Sequence, residues 1–270
     1  MIECQLSQKT YQSTYVAYLD ILGFKDIVLA HSHEHLKSLY LRTFLQITEH
    51  ALSNDKRKSF LDGETLCIWP DIRQAVVNSS LFSDSIFIWT DNDSADSFVN
   101  IVTTVRNLLS FSIIHRLPLR GAISYGPLTA IANQLPSQTH NFQNSLFGKA
   151  VVYAFKAEKV QEWVGCMITP NAIKSYKDKC LGKAPLIKEK MIATYPVPVK
   201  GDKKVVRYVI DWVNHPHTEI DFTTVTNAFN PHKRPTPKAA KIIIRKLKNT
   251  LMFVKHVKPS ADQPRRRVAV

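Results

Sequence analysis

Tyr15 to Lys25 reads YVAYLDILGFK. An apolar run of β-favouring residues ends in Asp20 and Gly23 follows at once, so the spacing predicts a strand that delivers a carboxylate into a tight turn. A second stretch, Leu81 to Trp89, reads LFSDSIFIW and sets Ser83-Asp84 between two apolar runs, as a hairpin tip presents an acid. Carboxylates at the ends of neighbouring strands suit divalent metal. Magnesium takes oxygen ligands and completes its shell with water and phosphate oxygens, so two aspartates suffice where a nucleoside triphosphate supplies the rest. Taken singly, each aspartate also reads as a turn residue or a helix cap.

The flanking sequence supplies the rest of a sheet and its covering helices. Phe24 to Ala30 and then His35 to Ser53 carry apolar residues at helical spacing, with Leu36, Leu39, Tyr40, Phe44, Ile47 and Leu52 on one face. The polar segment from Asn54 ends that helix, and Leu66 to Trp69 is a short strand or loop anchor. Phe98, Ile101, Val102, Val105, Leu108, Leu109 and Ile113 form a long buried stripe opened by the cap residues of Asp91 to Asp96. Leu119 to Leu128, LRGAISYGPL, is a strand containing Arg120, in which Gly121 and Gly126 mark either a close approach or a bulge. A polar loop covers Gln134 to Asn144, and a helix follows Gly148. Gly165 to Thr169 reads as a strand, Pro170 to Lys177 as a short helix, and Tyr195 to Val199 with Val205 to Trp212 as a hairpin about Gly201. This order predicts an α/β (α+β) sandwich with a mainly antiparallel sheet flanked by helices, because the hairpins interrupt the alternation that a parallel doubly wound fold needs.

With 270 residues, 44% of them hydrophobic, the chain can bury a substantial core. No stretch is expected to span a membrane, the N-terminus lacks a signal-peptide pattern, and a cytoplasmic location is expected. Cys4, Cys67, Cys166 and Cys180 have no paired spacing, and His31, His33 and His35 fall on different faces of a helix, so neither set predicts a metal site. The formal charge is +14, but from Pro231 onward twelve Lys and Arg face one acid, Asp262, so the preceding body is only mildly basic. Residues 1–214 form the expected main domain, residues 215–237, rich in Pro, Asn, Thr and His, a linker, and residues 238–270 a basic helix and tail.

Four segments in order resemble the class III nucleotidyl cyclases: Asp20-Ile21-Leu22-Gly23-Phe24, the hairpin aspartate Asp84, Arg120 through Gly126, and Gly148 through Glu158. The resemblance covers roughly residues 15–212 and implies a ferredoxin-like sandwich that converts a nucleoside triphosphate to a 3′,5′-cyclic nucleotide and pyrophosphate. It implies two Mg2+ or Mn2+ ions held by Asp20, Asp84 and the backbone of Ile21, with phosphates received by the backbone from Ile21 through Leu22 and Gly23 to Phe24. Arg120 and Lys200 are the implied triphosphate ligands, with Lys203 and Lys204 competing for the second role. Lys156 stands where the family has a transition-state arginine, and Val152 where it has an asparagine. Active sites shared across a homodimer are implied as well.

Ser80 and Ser145 occupy the positions of the purine readers, which argues for a different base. Together with VPVKG and YVIDW, these features resemble the pyrimidine cyclases of the Pycsar antiphage system, which make cyclic UMP or cyclic CMP for a downstream effector protein. UTP is the favoured substrate, and Phe82, Trp89 and Tyr125 are candidates for stacking on the base. Two other readings stay open. One is a degenerate homologue that binds nucleotides without turning them over. The other is a nucleic-acid-binding protein acting through Pro235 to Val257, where Ile244, Leu247, Leu251 and Val254 lie at helical spacing among lysines ahead of Arg265-Arg266-Arg267. That basic helix can equally dock on its own domain.

Overall fold

The structure is a computed structural model that describes residues 6–54, 56–62, 65–133, 144–180, 185–230 and 236–258. Cys4, most of the polar segment 134–144 and Arg265 to Arg267 lie outside the described residues.

Strand β1 (Leu6–Ile21) runs into helix α1 (Phe24–Ala30), then α2 (His33–Leu39), one π-helical turn (Tyr40–Phe44) and α3 (Leu45–Ser53). A hairpin of β2 (Arg57–Asp62) and β3 (Thr65–Pro70) stands apart as a two-stranded sheet, where the sequence reading had only a short strand at Leu66. Next come β4 (Asn78–Phe82), β5 (Ser85–Trp89), α4 (Ala95–Ile114), β6 (Leu119–Asn133), β7 (Asn144–Phe147) and α5 (Lys149–Val160). The chain continues through β8 (Gly165–Ile168), α6 (Pro170–Lys179), α7 (Pro185–Lys188), β9 (Ile192–Val199), β10 (Lys203–Ile210), α8 (Phe222–Ala228) and α9 (Pro237–Val257).

Among the described residues the main sheet runs β4-β5-β1-β6-β8-β10-β9, with β7 on the far part of β6. Among the described strands only the β6–β8 pair is parallel. The mainly antiparallel sandwich flanked by helices is the architecture expected from the order of elements. Strand β1 is central and covered on both faces, which explains its near-continuous apolar run. Tyr15, Ala17, Leu19 and Ile21 enter the main core with Phe98, Ile101 and Val105 of α4, whereas Tyr11 and Val16 join a smaller cluster with Trp89, Leu128 and Ala150 on the α5 face. Gly121 is the close approach: a Cβ there would sit 2.6 Å from the Tyr18 carbonyl oxygen, too near for any side chain. Gly126 lies at the bulge, opposite Thr14, where the β1–β6 register shifts.

One expectation stands in a refined form and one needs correction. Helix α4 is long and apolar enough to cross a membrane by length and composition, yet 72% of that apolar window is buried, as suits a core helix. The segment read as a linker is largely packed: His215, Ile220, Val225 and Ala228 are buried, and α8 caps its N-terminus with Asp221, which accepts from Thr224 N at 2.7 Å. Its polar composition had masked these few inward residues.

The basic helix α9 is docked on its own chain. Phe253 is fully buried against Trp163, Tyr195 and Trp212, and Val254 joins the same core. The expected stripe is correct for Leu247, Leu251 and Val254, but Ile244 is exposed and Phe253 takes the inward position.

Candidate active site

The β1 register fixes the site. Asp20 is paired across one edge with Ser85 of β5 and across the other with Arg120 of β6, so the end of β1 brings the carboxylate, the hairpin tip and the arginine together. The tip itself is tied down. Ser83 has φ of +55°, and its carbonyl accepts the Tyr40 hydroxyl at 3.0 Å. The Ile21 amide donates to the Asp84 carbonyl at 3.2 Å, lashing the turn after β1 to the tip of β4–β5.

Asp84 precedes Ser85, the register partner of Asp20, so the two carboxylates are neighbours whose charges interact; Ser85 Oγ donates to Asp20 Oδ1 at 3.4 Å, and Ser85 Oγ is itself bonded to the Tyr18 hydroxyl at 3.0 Å. Burial pushes the Asp20 carboxyl up to about 6, the charge of Asp84 and then that of Glu158 add to the rise, and Arg120 opposes it. Two carboxylates pressed together in partial burial are a donor set that fits a hard divalent cation. Among the described residues no cluster of three or more His, Cys, Asp or Glu side chains forms a richer metal cage.

The turn after β1 revises the expected phosphate cradle. Ile21 N is bonded to Asp84 and Leu22 N donates to the Pro118 carbonyl at 2.8 Å, so neither amide is available. Asp26 N and Ile27 N both donate to the Gly23 carbonyl, which leaves the amides of Gly23, Phe24 and Lys25. Gly23 itself is held at φ +82°, and no atom lies within 4 Å of where its Cβ would be. Its role there is conformational, since the left-handed turn demands it, rather than clearing space. A cavity of about 600 Å³ adjoins this turn, with Ile21, Phe24, Tyr40 and Ser83 in its wall.

Arg120 is not a free guanidinium. It forms an ion pair with Glu158 of α5 and donates from Nη1 to the Gln161 carbonyl at 2.8 Å. The side chains are 12% and 3% exposed, respectively, so the pair is buried. The expectation of a bidentate triphosphate ligand is therefore corrected: carboxylate geometry already satisfies the fork, and phosphate reaches only what the pair leaves over. Lys200 is exposed in the β9–β10 turn and donates its backbone N–H to the Val160 carbonyl at 2.9 Å. Lys203 and Lys204 lie within β10, paired with Val199 and Pro198.

Lys156 is exposed on α5, on a helix that also exposes Val152, Tyr153, Phe155 and Val160. Of the aromatic candidates, Trp89 is packed in the smaller core and donates Nε1–H to the Tyr11 hydroxyl, while Tyr125 donates to Asp93 Oδ2 at 2.7 Å. Phe82, 78% exposed beside the tip, remains open to a ring. Ser80 lies on β4 opposite Phe87, and Ser145 on β7 opposite Ile131. Sequence reasoning missed Tyr18, Tyr40 and Ser85 as supports of the pair; only Ser85, next to Asp84, had a local signal.

No family model and no curated protein matches this chain. Solved structures do. The chain is similar to a dimeric guanylyl cyclase domain of the RhoGC fusion protein from the aquatic fungus Blastocladiella emersonii, at 15% identity and TM-score 0.49, covering 76% of this chain and 97% of that one. It is similar to the guanylate cyclase domain of RhGC from Catenaria anguillulae in complex with GTP, at 18% identity and TM-score 0.47, covering 75% and 97%. A third is the adenylyl cyclase CyaB from P. aeruginosa, at 14% identity and TM-score 0.48, covering 80% and 100%.

Proposed function

We propose that this chain is a nucleotidyl cyclase of the class III type, converting a pyrimidine nucleoside triphosphate, UTP before CTP, to its 3′,5′-cyclic monophosphate and pyrophosphate. The observation that carries the reading is the register at the end of β1, which sets Asp20 opposite Ser85 of the Asp84 tip on one side and opposite Arg120 on the other, with the Ile21 amide bonded to the Asp84 carbonyl. In the reaction the ribose 3′-oxygen bonds to the α-phosphorus, the bond from that phosphorus to the bridging oxygen breaks, pyrophosphate leaves, and the hydroxyl proton passes to solvent. Mg2+ or Mn2+ bound at the pair supplies Lewis-acid activation of the hydroxyl and charge neutralisation of the triphosphate.

The chain's own residues do the positioning. Asp20, Asp84 and the Ile21 carbonyl would hold the cations, with Ser85 and Tyr18 fixing the Asp20 rotamer. The amides of Gly23 and Phe24 and the ammonium of Lys200 would receive phosphate oxygens. Arg120, locked on Glu158, contributes fixed positive charge beside the carboxylates. Lys156 belongs to the same proposal as a transition-state cation acting on a neighbouring copy, which the apolar side chains exposed around it on α5 support as a homodimer face. A role in antiphage defence, with an effector that senses the product, follows from the same resemblance.

The test is incubation of the purified protein with each of the four ribonucleoside triphosphates and manganese, followed by mass identification of products. A cyclic pyrimidine product with at least about tenfold preference over purines, roughly 1.4 kcal/mol in transition-state binding, is expected. Equal conversion of ATP or GTP removes the pyrimidine assignment; nucleotide binding without any cyclic product favours the degenerate homologue.

A further inference from the structure

Basic residues from three separate elements meet one short strip, residues 158–162, two of them through their side chains and Lys200 through its backbone. Arg120 of β6 holds Glu158 and the Gln161 carbonyl, and Lys200 of the β9–β10 turn is bonded through its backbone to Val160. Helix α9 is fastened to the same strip. Arg245 pairs with Glu162 at 2.6 Å, Asn249 Nδ2 donates to the Glu162 carbonyl at 2.7 Å, and Thr250 Oγ1 accepts from Val164 N at 2.9 Å.

Lys246 lies between those anchors and is half-buried. Both acids of the strip, Glu158 and Glu162, are already taken by arginines, and among the described residues the Lys246 ammonium has no carboxylate within 4 Å. Burial lowers its pKa first and the charge of Arg120 second; Glu162 and Glu158 partly restore it, and Lys200 lowers it again. A half-buried ammonium one helical turn before Thr250, which bonds to Val164, lies on the side of α9 that meets this strip, and without a carboxylate of its own it is uncomfortable until an anion arrives. The strip adjoins the paired carboxylates, because Arg120 is the register partner of Asp20. An anion reaching both places must be extended and carry several charges, which is the chemistry of a polyphosphate chain.

We infer that Lys246, carried by the C-terminal helix, is a substrate-binding residue for the polyphosphate chain, completing an anion subsite with Lys200 beside Asp20 and Asp84, with the paired Arg120 behind it. The inference rests on the reading that this site takes a nucleoside triphosphate. It makes α9 a working part of the site rather than an accessory basic tail.

The experiment measures binding of inorganic tripolyphosphate to the full chain by calorimetry at fixed salt, for wild type, Lys246→Gln, Lys246→Arg, and the exposed-helix controls Lys241→Gln and Lys248→Gln. Loss of one charge-assisted contact predicts affinity about tenfold weaker for Lys246→Gln, with Lys246→Arg recovering most of it and the controls close to wild type. In turnover the same substitution should raise KM for the triphosphate with kcat little changed. Should the Gln variant fail to fold, Lys246→Met keeps the aliphatic stem and serves in its place. Unchanged affinity in a folded Lys246 variant, or an equal loss in the controls, overturns the inference. Lys246-dependent tripolyphosphate binding in a protein that cyclises no nucleotide would sink the cyclase reading and leave the subsite standing.

Discussion

Replacing Asp20 by asparagine should stabilise the protein in chelator while abolishing its turnover. The Asp20 carboxyl is raised from 3.8 to about 6 by burial and then by Asp84. Since the folded value lies above the unfolded one, the fold binds more protons between those limits. The associated stability is present below about pH 3.8 and is lost as pH rises through about 6. At neutral pH the charged pair therefore strains the cation-free protein. The ceiling is roughly 3 kcal/mol at 1.36 kcal/mol per unit, and partial exposure of Asp20 reduces this to about 1–2 kcal/mol. For a chain of this size that corresponds to a rise of about 2–8 °C in Tm for Asp20→Asn at pH 8, shrinking to about a third of that at pH 4.5. Scanning calorimetry in chelator at both pH values reads it directly. Millimolar manganese should then raise the wild-type Tm and leave the variant's nearly unchanged, by mass action on the folded state. A variant no more stable than wild type at pH 8, or an advantage larger at pH 4.5, would refute the account of Asp20 and Asp84 as a mutually strained cation site.

Asp84→Asn keeps the size of the side chain and removes its charge; turnover should fall below detection with the circular dichroism spectrum intact, and persistence of activity would exclude the two-carboxylate site. Glu158→Ala leaves the Arg120 guanidinium buried without its partner, so chemical denaturation should show a loss of about 3–5 kcal/mol, whereas a surface-like loss below about 1 kcal/mol would mean the pair is solvated. Phe253→Ala should cost about 3–5 kcal/mol because it empties an aromatic cluster with Trp163, Tyr195 and Trp212; a negligible loss would show that α9 is not part of the core. Mixing Asp20→Ala with Lys156→Ala chains should restore part of the activity if each site draws on both copies, and no rescue after verified subunit exchange would count against the shared site.

What the sequence disclosed and what it hid divides by range. The apolar run of β-favouring residues ending at Asp20, the turn residues at Ser83-Asp84 and the apolar stripe of α4 are local signals, and each lies where its pattern placed it. The placement of the acids at a strand end and a hairpin tip was legible for the same reason, because each follows or divides an apolar run. The occupancy of Arg120 was not, since its partners Glu158 and Gln161 lie 38 and 41 residues away and a strand arginine looks identical whether free or paired. The spent amides of Ile21 and Leu22 were hidden likewise, their acceptors being supplied by the hairpin tip and by Pro118.

The C-terminal helix shows the limit most sharply. Its composition is dominated by lysine, and charge counted along a sequence cannot separate a solvated face from one that meets acids elsewhere in the fold. Glu162 settles the matter by contacts alone: it pairs with Arg245 through its carboxylate and accepts from Asn249 through its carbonyl. Those bonds join positions more than 80 residues apart and turn the helix so that Phe253 points inward and Lys246 is half-buried one turn before Thr250, which bonds to Val164. A basic amphipathic helix read as a surface for external polyanions is thereby spent partly on its own chain.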